Sequence, residues 1–198
     1  MERGKIATQF IDLVSTNSKE TLVFDVRGEV FSVREGFSRT IGIIENCCDN
    51  GGKLLFIGNG GSAAIASHQA LDYWKNGKLK ALAFNDASLL TALSNDLGYE
   101  HVFSTPIESF ADEGDVLIAI SSSGQSQNIL NGVLAAKQKK CRAITFSGFN
   151  ADNPLKKMGD LNFYVPSSSY GVVEVTHLTL IHAILEDRME HLAGGKKE

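Results

Sequence analysis

Residues 116–128 read VLIAISSSGQSQN, an apolar run that passes directly into hydroxyls and a glycine. Ser121, Ser122, Ser123 and Ser126 put four hydroxyls into six positions, and Gly124 lets a ligand approach the backbone closely. If a helix follows, its first N–H groups are unpaired and its dipole presents its positive end. Such a nest suits a phosphate dianion. A plain serine N-cap would need only one hydroxyl. A second loop, IGNGGSAAIA at 57–66, offers Asn59, Gly60, Gly61 and Ser62. It reads either as a tight strand-to-helix turn capped by Ser62 or as a backbone cradle for a polar ligand, with Asn59 and Ser62 adding side chains. It is neither a dinucleotide fingerprint, because the glycine spacing differs, nor a Walker A loop, because no Gly-Lys-Ser/Thr follows. Further on, His68 and Asp72 stand one helical turn apart on one face, a common metal-ligand spacing. Glu174 and His182 are eight residues apart, a rise of ~12 Å on one regular helix. A lone histidine on a core-facing helix is more often structural than catalytic. His177, on a different face from His182, reads as structural, and His101 and His191 read as surface residues.

These residues need a scaffold, and the chain supplies one in alternating segments. KLLFIG, LKALAF, DVLIAI, CRAITFSG and LNFYVP read as five strands. SAAIASHQALDYW, ASLLTALSND and QSQNILNGVLAAKQKK read as the intervening helices, and VVEVTHLTLIHAILEDRMEHLA as a long closing helix. Unbroken apolar strands alternating with helices predict an α/β fold, a three-layer α/β/α sandwich around a mainly parallel five-stranded sheet. Upstream, Ile6, Phe10, Leu13, Val14, Val30, Val33, Phe37, Ile41 and Ile44 fall at helical spacing. They predict an N-terminal helical arm at 1–48, two helices broken near Thr16-Asn17-Ser18. Asp49-Asn50-Gly51-Gly52 ends the second. The core then spans 52–193, and GGKKE at 194–198 reads as a loose tail.

Composition bounds the partners. At 198 residues the chain fits one domain and can bury a core without disulfides or metal. A net charge of −4 gives no broad attraction to nucleic acid. Cys47, Cys48 and Cys141 are an odd count without CxxC spacing, which argues against a disulfide framework or a cysteine zinc site. No apolar run reaches the ~20 residues of a membrane span. The start, MERGKIATQFIDLV, lacks the apolar core of a signal peptide, so a reducing cytoplasm is expected.

GNGGS at 58–62, SND at 94–96 and SSSGQS at 121–126 together resemble the sugar isomerase (SIS) domain family, and more closely its phosphoheptose isomerase branch. The resemblance extends over nearly the whole chain and implies a flavodoxin-like fold. It also implies a zinc ion, one per subunit, held by His68, Asp72, Glu174 and His182, where that branch has His, Glu, Gln and His. Another divalent metal is compatible with this donor set. A set spanning Glu174 and His182 requires either that Glu174 precede the regular helix, for which Tyr170-Gly171 would allow an irregular start, or that one of the two reach in from elsewhere. Gly171 and Val172 stand where the family has Asp and Arg, and Asn76 stands where it has a basic residue on the first site helix. These departures fall on sugar contacts.

The implied reaction is aldose–ketose isomerisation of a phosphosugar through an enediol, with sedoheptulose 7-phosphate as the expected ketose. The product would supply heptose for lipopolysaccharide or capsule. Asp72 is expected as base with Glu174 as its substitute, His182 as acid, His68 as metal ligand, and Asn95 and Asp96 as sugar contacts. Ser121, Ser122, Ser123 and Ser126 would hold the phosphate. The resemblance implies a homotetramer, with His182 meeting a neighbour's Asp72. A different class remains open: a non-catalytic SIS protein that binds the replication initiator DnaA, or a phosphosugar sensor.

Overall fold

Five segments made almost wholly of apolar residues set the architecture. In the computed structural model, which describes residues 4–194, Leu54–Gly58 (β3) and Val116–Ser121 (β5) are buried at every position, and Arg142–Ser147 (β6) at all but its first. Strands buried on both faces belong in the middle of a covered parallel sheet. Ala81–Ala83 (β4) flanks β3 on one side, and β5, β6 and Leu161–Tyr164 (β7) follow on the other, all five parallel.

Alternate residues of each strand feed two cores. Leu54 and Phe56 face one core with Ile44, Tyr73, Ile181 and Leu185, under helices Val33–Asp49 (α2), Gly61–Lys75 (α3) and Tyr170–Gly194 (α7). Leu55 and Ile57 face the other with Phe103, Ile107, Ile129 and Val133, under Ser104–Phe110 (α5) and Gln127–Gln138 (α6). Ala87–Leu97 (α4) lies on this second side, its Leu89, Leu90 and Leu93 packed against the same core. The three layers expected from the sequence are therefore present.

The N-terminal segment differs from its expectation. Lys5–Glu20 (α1) runs unbroken through Thr16-Asn17-Ser18. Asn17 Nδ2 donates to Leu13 O, Ser18 Oγ to Val14 O and Thr21 Oγ1 to Asn17 O. These polar side chains bond back onto the helix instead of ending it. Between α1 and α2 the chain makes a hairpin, Leu22–Asp25 (β1) and Val30–Phe31 (β2). Its turn is fixed by Asp25 Oδ1, which accepts from the N–H groups of Arg27 and Glu29, and by Gly28 at φ 80°. β1 pairs antiparallel with β7, so the sheet has seven strands, not five, in the order β2-β1-β7-β6-β5-β3-β4. Val30 matches helical spacing with α2 by coincidence; its actual partner is Phe24 across the hairpin. Of the expected tail at 194–198, Gly194 ends α7 and the rest lies outside the described residues.

Candidate active site

The sheet order creates the site. From β3 the chain moves to β4 on one side, then crosses to β5 on the other. Loops after β3 and β5 therefore diverge, and the crevice between them is where open α/β sheets bind ligands. The turn after β3 is tight enough that a Cβ on Gly58 would strike the Ser62 backbone. Gly60 takes φ 54°, and α3 begins at Gly61. After β5, Gly124 turns at φ 63°, and Ser126 stands at the N-cap of α6.

A cavity of about 230 Å³ opens between the two loops. It is lined by Asn59, Gly60, Gly61, Ser62, Ser121, Ser122, Ser123 and Ser126, together with Ile120, Tyr170 and Glu174. Of the nine residues singled out in the two loops, all but Gly124 thus line one cavity. Ser122 Oγ is buried and has no hydrogen-bond partner among the described residues. A buried hydroxyl left unpaired is costly, and a ligand oxygen would satisfy it. Ser121 Oγ accepts from Gly124 N at 3.2 Å and lies 3.5 Å from Ser126 Oγ, which stabilises the turn of the loop. Behind it Asn153, fully buried, donates to Ser147 Oγ, Gly148 O and Asn150 O and lies against Gly124. Leu155 N donates to Gly124 O.

A second cluster forms where α3 meets α7. His68 Nε2 lies 3.3 Å from Asp72 Oδ2, and His182 Nδ1 lies 3.9 Å from the same oxygen. One donor atom from each of the three residues falls within 4.8 Å of the others. Asn76 Nδ2 donates to Asp72 Oδ1 at 3.2 Å, leaving Oδ2 for the histidines. The sequence marks Asn76 as a departure at a sugar contact, whereas here it bonds the Asp72 carboxylate. The Asp72 that His182 approaches here belongs to its own chain.

Glu174 is not part of this cluster. α7 is already regular at Tyr170, so Glu174 stands ~12 Å of helix rise before His182. The irregular start that would have joined them is not formed. The Glu174 carboxylate instead packs at Gly61, where a Cβ would come within 2.5 Å of it, and lines the serine–glycine cavity. Asn95 and Asp96 also fall outside the cavity lining: both are exposed near the end of α4, with Asn95 Nδ2 bonded to Asp96 Oδ1. Tyr99, just beyond, reaches the site region instead, donating its hydroxyl to Asn59 Oδ1 at 2.9 Å.

Other features stand apart from this chemistry. His177 is fully buried, with Nε2 3.2 Å from Ser147 O and its ring edge-on to Phe146, and burial pushes its pKa down to about 4. His101 and His191 are exposed. A wider groove of about 770 Å³ opens at the opposite, N-terminal edge of the strands. Its cations are matched by acids, Arg142 with Asp160 and Lys140 with Glu113, so it offers no net charge for an anion. Among the described residues no helix is long and apolar enough to cross a membrane.

Comparison with known proteins agrees with this geometry. Residues 32–148 match the family model described as "SIS domain". The phosphoheptose isomerase of Thermodesulfovibrio yellowstonii is 34% identical over 165 residues, 79% of this chain and 82% of that protein. The phosphoheptose isomerase of Burkholderia pseudomallei is 40% identical over 153 residues, 74% of this chain and 77% of that protein. The solved structure of a phosphoheptose isomerase from Neisseria gonorrhoeae superposes with a TM-score of 0.80 at 30% identity, covering 93% of this chain and 97% of that one.

Proposed function

The chain belongs to the SIS domain family, and on that premise we propose that it is a phosphoheptose isomerase that interconverts sedoheptulose 7-phosphate and the corresponding aldoheptose 7-phosphate. The observation that carries this reading is the pairing of two sites: a hydroxyl-lined cavity at two helix N-termini, and a His68–Asp72–His182 cluster on the adjoining helices.

The phosphate sits among Ser121, Ser122, Ser123 and Ser126, where serine hydroxyls and backbone N–H groups hydrogen-bond it and, among the described residues, no lysine or arginine lines the cavity. Binding energy from the phosphate orients the remainder of the sugar. The ~12 Å along α7 from Glu174 to His182 suits a long carbon chain with its carbonyl end at the cluster. There Asp72 takes the proton beside the carbonyl and returns it to the neighbouring carbon. His182 moves the proton between the two oxygens. Asn76 holds Asp72 so that Oδ2 faces the reacting end. Glu174, the substitute base, lies closer to the phosphate than to this end.

The donor set fits a divalent metal: two imidazole nitrogens and one carboxylate oxygen, a three-ligand set of the kind that leaves a zinc position open. His68, Asp72 and His182 would hold it, and zinc is the proposed ion. When bound, it would supply electrostatic stabilisation of the developing oxyanion.

The site is half open on a single chain, with His68 about half exposed. Leu71 and Trp74 on α3, and Ile6, Phe10, Ile11 and Leu13 on α1, are exposed apolar residues. We take these faces as contacts within a homotetramer. A cytoplasmic location and heptose supply for a surface glycan complete the reading.

The test is NMR of the purified protein with sedoheptulose 7-phosphate, with zinc and with a chelator. New anomeric signals of an aldoheptose 7-phosphate support the proposal, and their loss on chelation supports the metal. Phosphosugar binding without turnover would refute it in favour of a sensor or DnaA-binding role.

A further inference from the structure

Asn128 lies on the first turn of α6, is 3% exposed, and is absent from the cavity lining. Its amide nonetheless faces Asn59, on the other loop, in a reciprocal pair. Asn59 Nδ2 donates to Asn128 Oδ1 at 2.9 Å, and Asn128 Nδ2 donates to Asn59 Oδ1 at 2.8 Å. Tyr99, in the short turn after α4, donates its hydroxyl to the same Asn59 oxygen at 2.9 Å. That turn is itself tied to α6, since Asn131 Nδ2 donates to Glu100 O.

The donor and acceptor count gives this arrangement its consequence. Asn59 Oδ1 has two lone pairs, and both are taken. Asn59 Nδ2 has two hydrogens, of which Asn128 takes one. The side chain therefore presents a single N–H to the cavity and no acceptor. The same pair ties the N-terminus of α3 to that of α6, fixing the spacing of the two helix ends that face an anion. Asn128 is buried and both atoms of its amide are engaged, so opening the pair would leave buried polar groups unsatisfied.

We propose that Asn128, with Tyr99, is a positioning residue for substrate binding: it locks Asn59 as a hydrogen-bond donor toward the substrate's phosphate or sugar oxygens. The proposal rests on the phosphosugar isomerase reading above. In the variant Asn128→Asp, a carboxylate oxygen replaces the amide nitrogen facing Asn59 Oδ1. Neither orientation of Asn59 can then pair both of its amide atoms with that carboxylate, so the pair opens and Asn59 is no longer held as a donor toward the bound anion.

The test combines kinetics with sedoheptulose 7-phosphate and calorimetric titration with inorganic phosphate. For Asn128→Asp, KM and the phosphate Kd rise about tenfold or more while kcat stays within about threefold, since the lost interaction is made equally in ground and transition states. Tyr99→Phe raises both about threefold with an unchanged thermal midpoint, because the ring is half exposed. If Asn128→Asp does not fold, Tyr99→Phe carries the test alone. Variants that fold with unchanged KM and Kd, or lose only thermal stability, overturn the positioning role while leaving the isomerase reading intact. A wild-type protein that binds no phosphate overturns both.

Discussion

His182 Nδ1 and His68 Nε2 approach the same oxygen of Asp72, at 3.9 and 3.3 Å, within one chain. A single carboxylate oxygen between two imidazoles cannot be replaced by an amide without altering both contacts. Asp72→Asn and His182→Ala are each expected to lower kcat by about a thousandfold, the middle of the range for a positioned acid or base. The thermal midpoint should barely move, because both side chains are partly exposed. Asp72→Glu, which restores the family's residue, should keep activity within about tenfold. Turnover near wild type in His182→Ala would remove this cluster from the mechanism.

The same cluster makes a stoichiometric statement. Protein purified without chelator should carry one divalent ion per chain by mass spectrometry of the elements. His68→Ala should lose most of it, since three ligands become two. Dialysis against a chelator should abolish turnover while leaving the circular dichroism spectrum unchanged, because the two cores do not involve these residues. Full activity in metal-free protein would refute the assignment.

Much of this arrangement is legible in the amino-acid sequence. The parallel strands announce themselves because segments such as LLFIG and VLIAIS are apolar at nearly every position, and only a doubly covered sheet tolerates that. The serine loop is legible because four hydroxyls exceed what one N-cap uses. The hairpin at 22–31 is not, since Val30, Val33 and Phe37 fit a helical period although their elements differ. Local pattern does not carry the pairing of β1 with β7, which lies more than a hundred residues away in sequence. Analogy of position groups Glu174 with the metal set, whereas helix geometry sends it to the serine cavity. Asn128, Tyr99 and Asn153 carry no signal, because their roles depend on hydrogen bonds between loops distant in the chain.

The placement of Glu174 separates two roles that the sequence leaves joined. Its carboxylate lines the cavity proposed for phosphate, and like charges at close range oppose binding. Glu174→Gln, which also restores the family's residue, is expected to tighten inorganic phosphate binding about threefold or more, with kcat little changed. Were Glu174 the base, the same variant would lose kcat by orders of magnitude. One steady-state experiment therefore distinguishes Asp72 from Glu174 as the proton acceptor.

Gly124 tests the loop itself. Its φ of 63° is left-handed, and a Cβ there would strike the Asn153 side chain. Asn153 cannot withdraw freely, because it is fully buried and bonded to Ser147, Gly148, Asn150 and Lys156. Gly124→Ala should cost about 2–5 kcal/mol, the sum of the left-handed penalty and overpacking. It should also raise the phosphate Kd as the loop shifts. A variant of wild-type stability, measured by urea unfolding, would mean that the loop is softer than its hydrogen bonds imply.

His177 predicts how the fold responds to acid. Burial holds its pKa at about 4, against about 6.5 in the unfolded chain. Between these values the unfolded state binds the proton and the folded state does not, so stability falls as pH drops through that window. Above about pH 6.5 the ring is neutral in both states and costs nothing. From pH 7.5 to pH 5 the loss attributable to this residue is about 2 kcal/mol. His177→Gln keeps an N–H donor for Ser147 O but has no proton to gain. Urea unfolding at the two pH values should show the variant losing less stability than wild type over this interval. Equal losses would mean that the acid sensitivity of the fold resides elsewhere, or that His177 opens to solvent before it protonates.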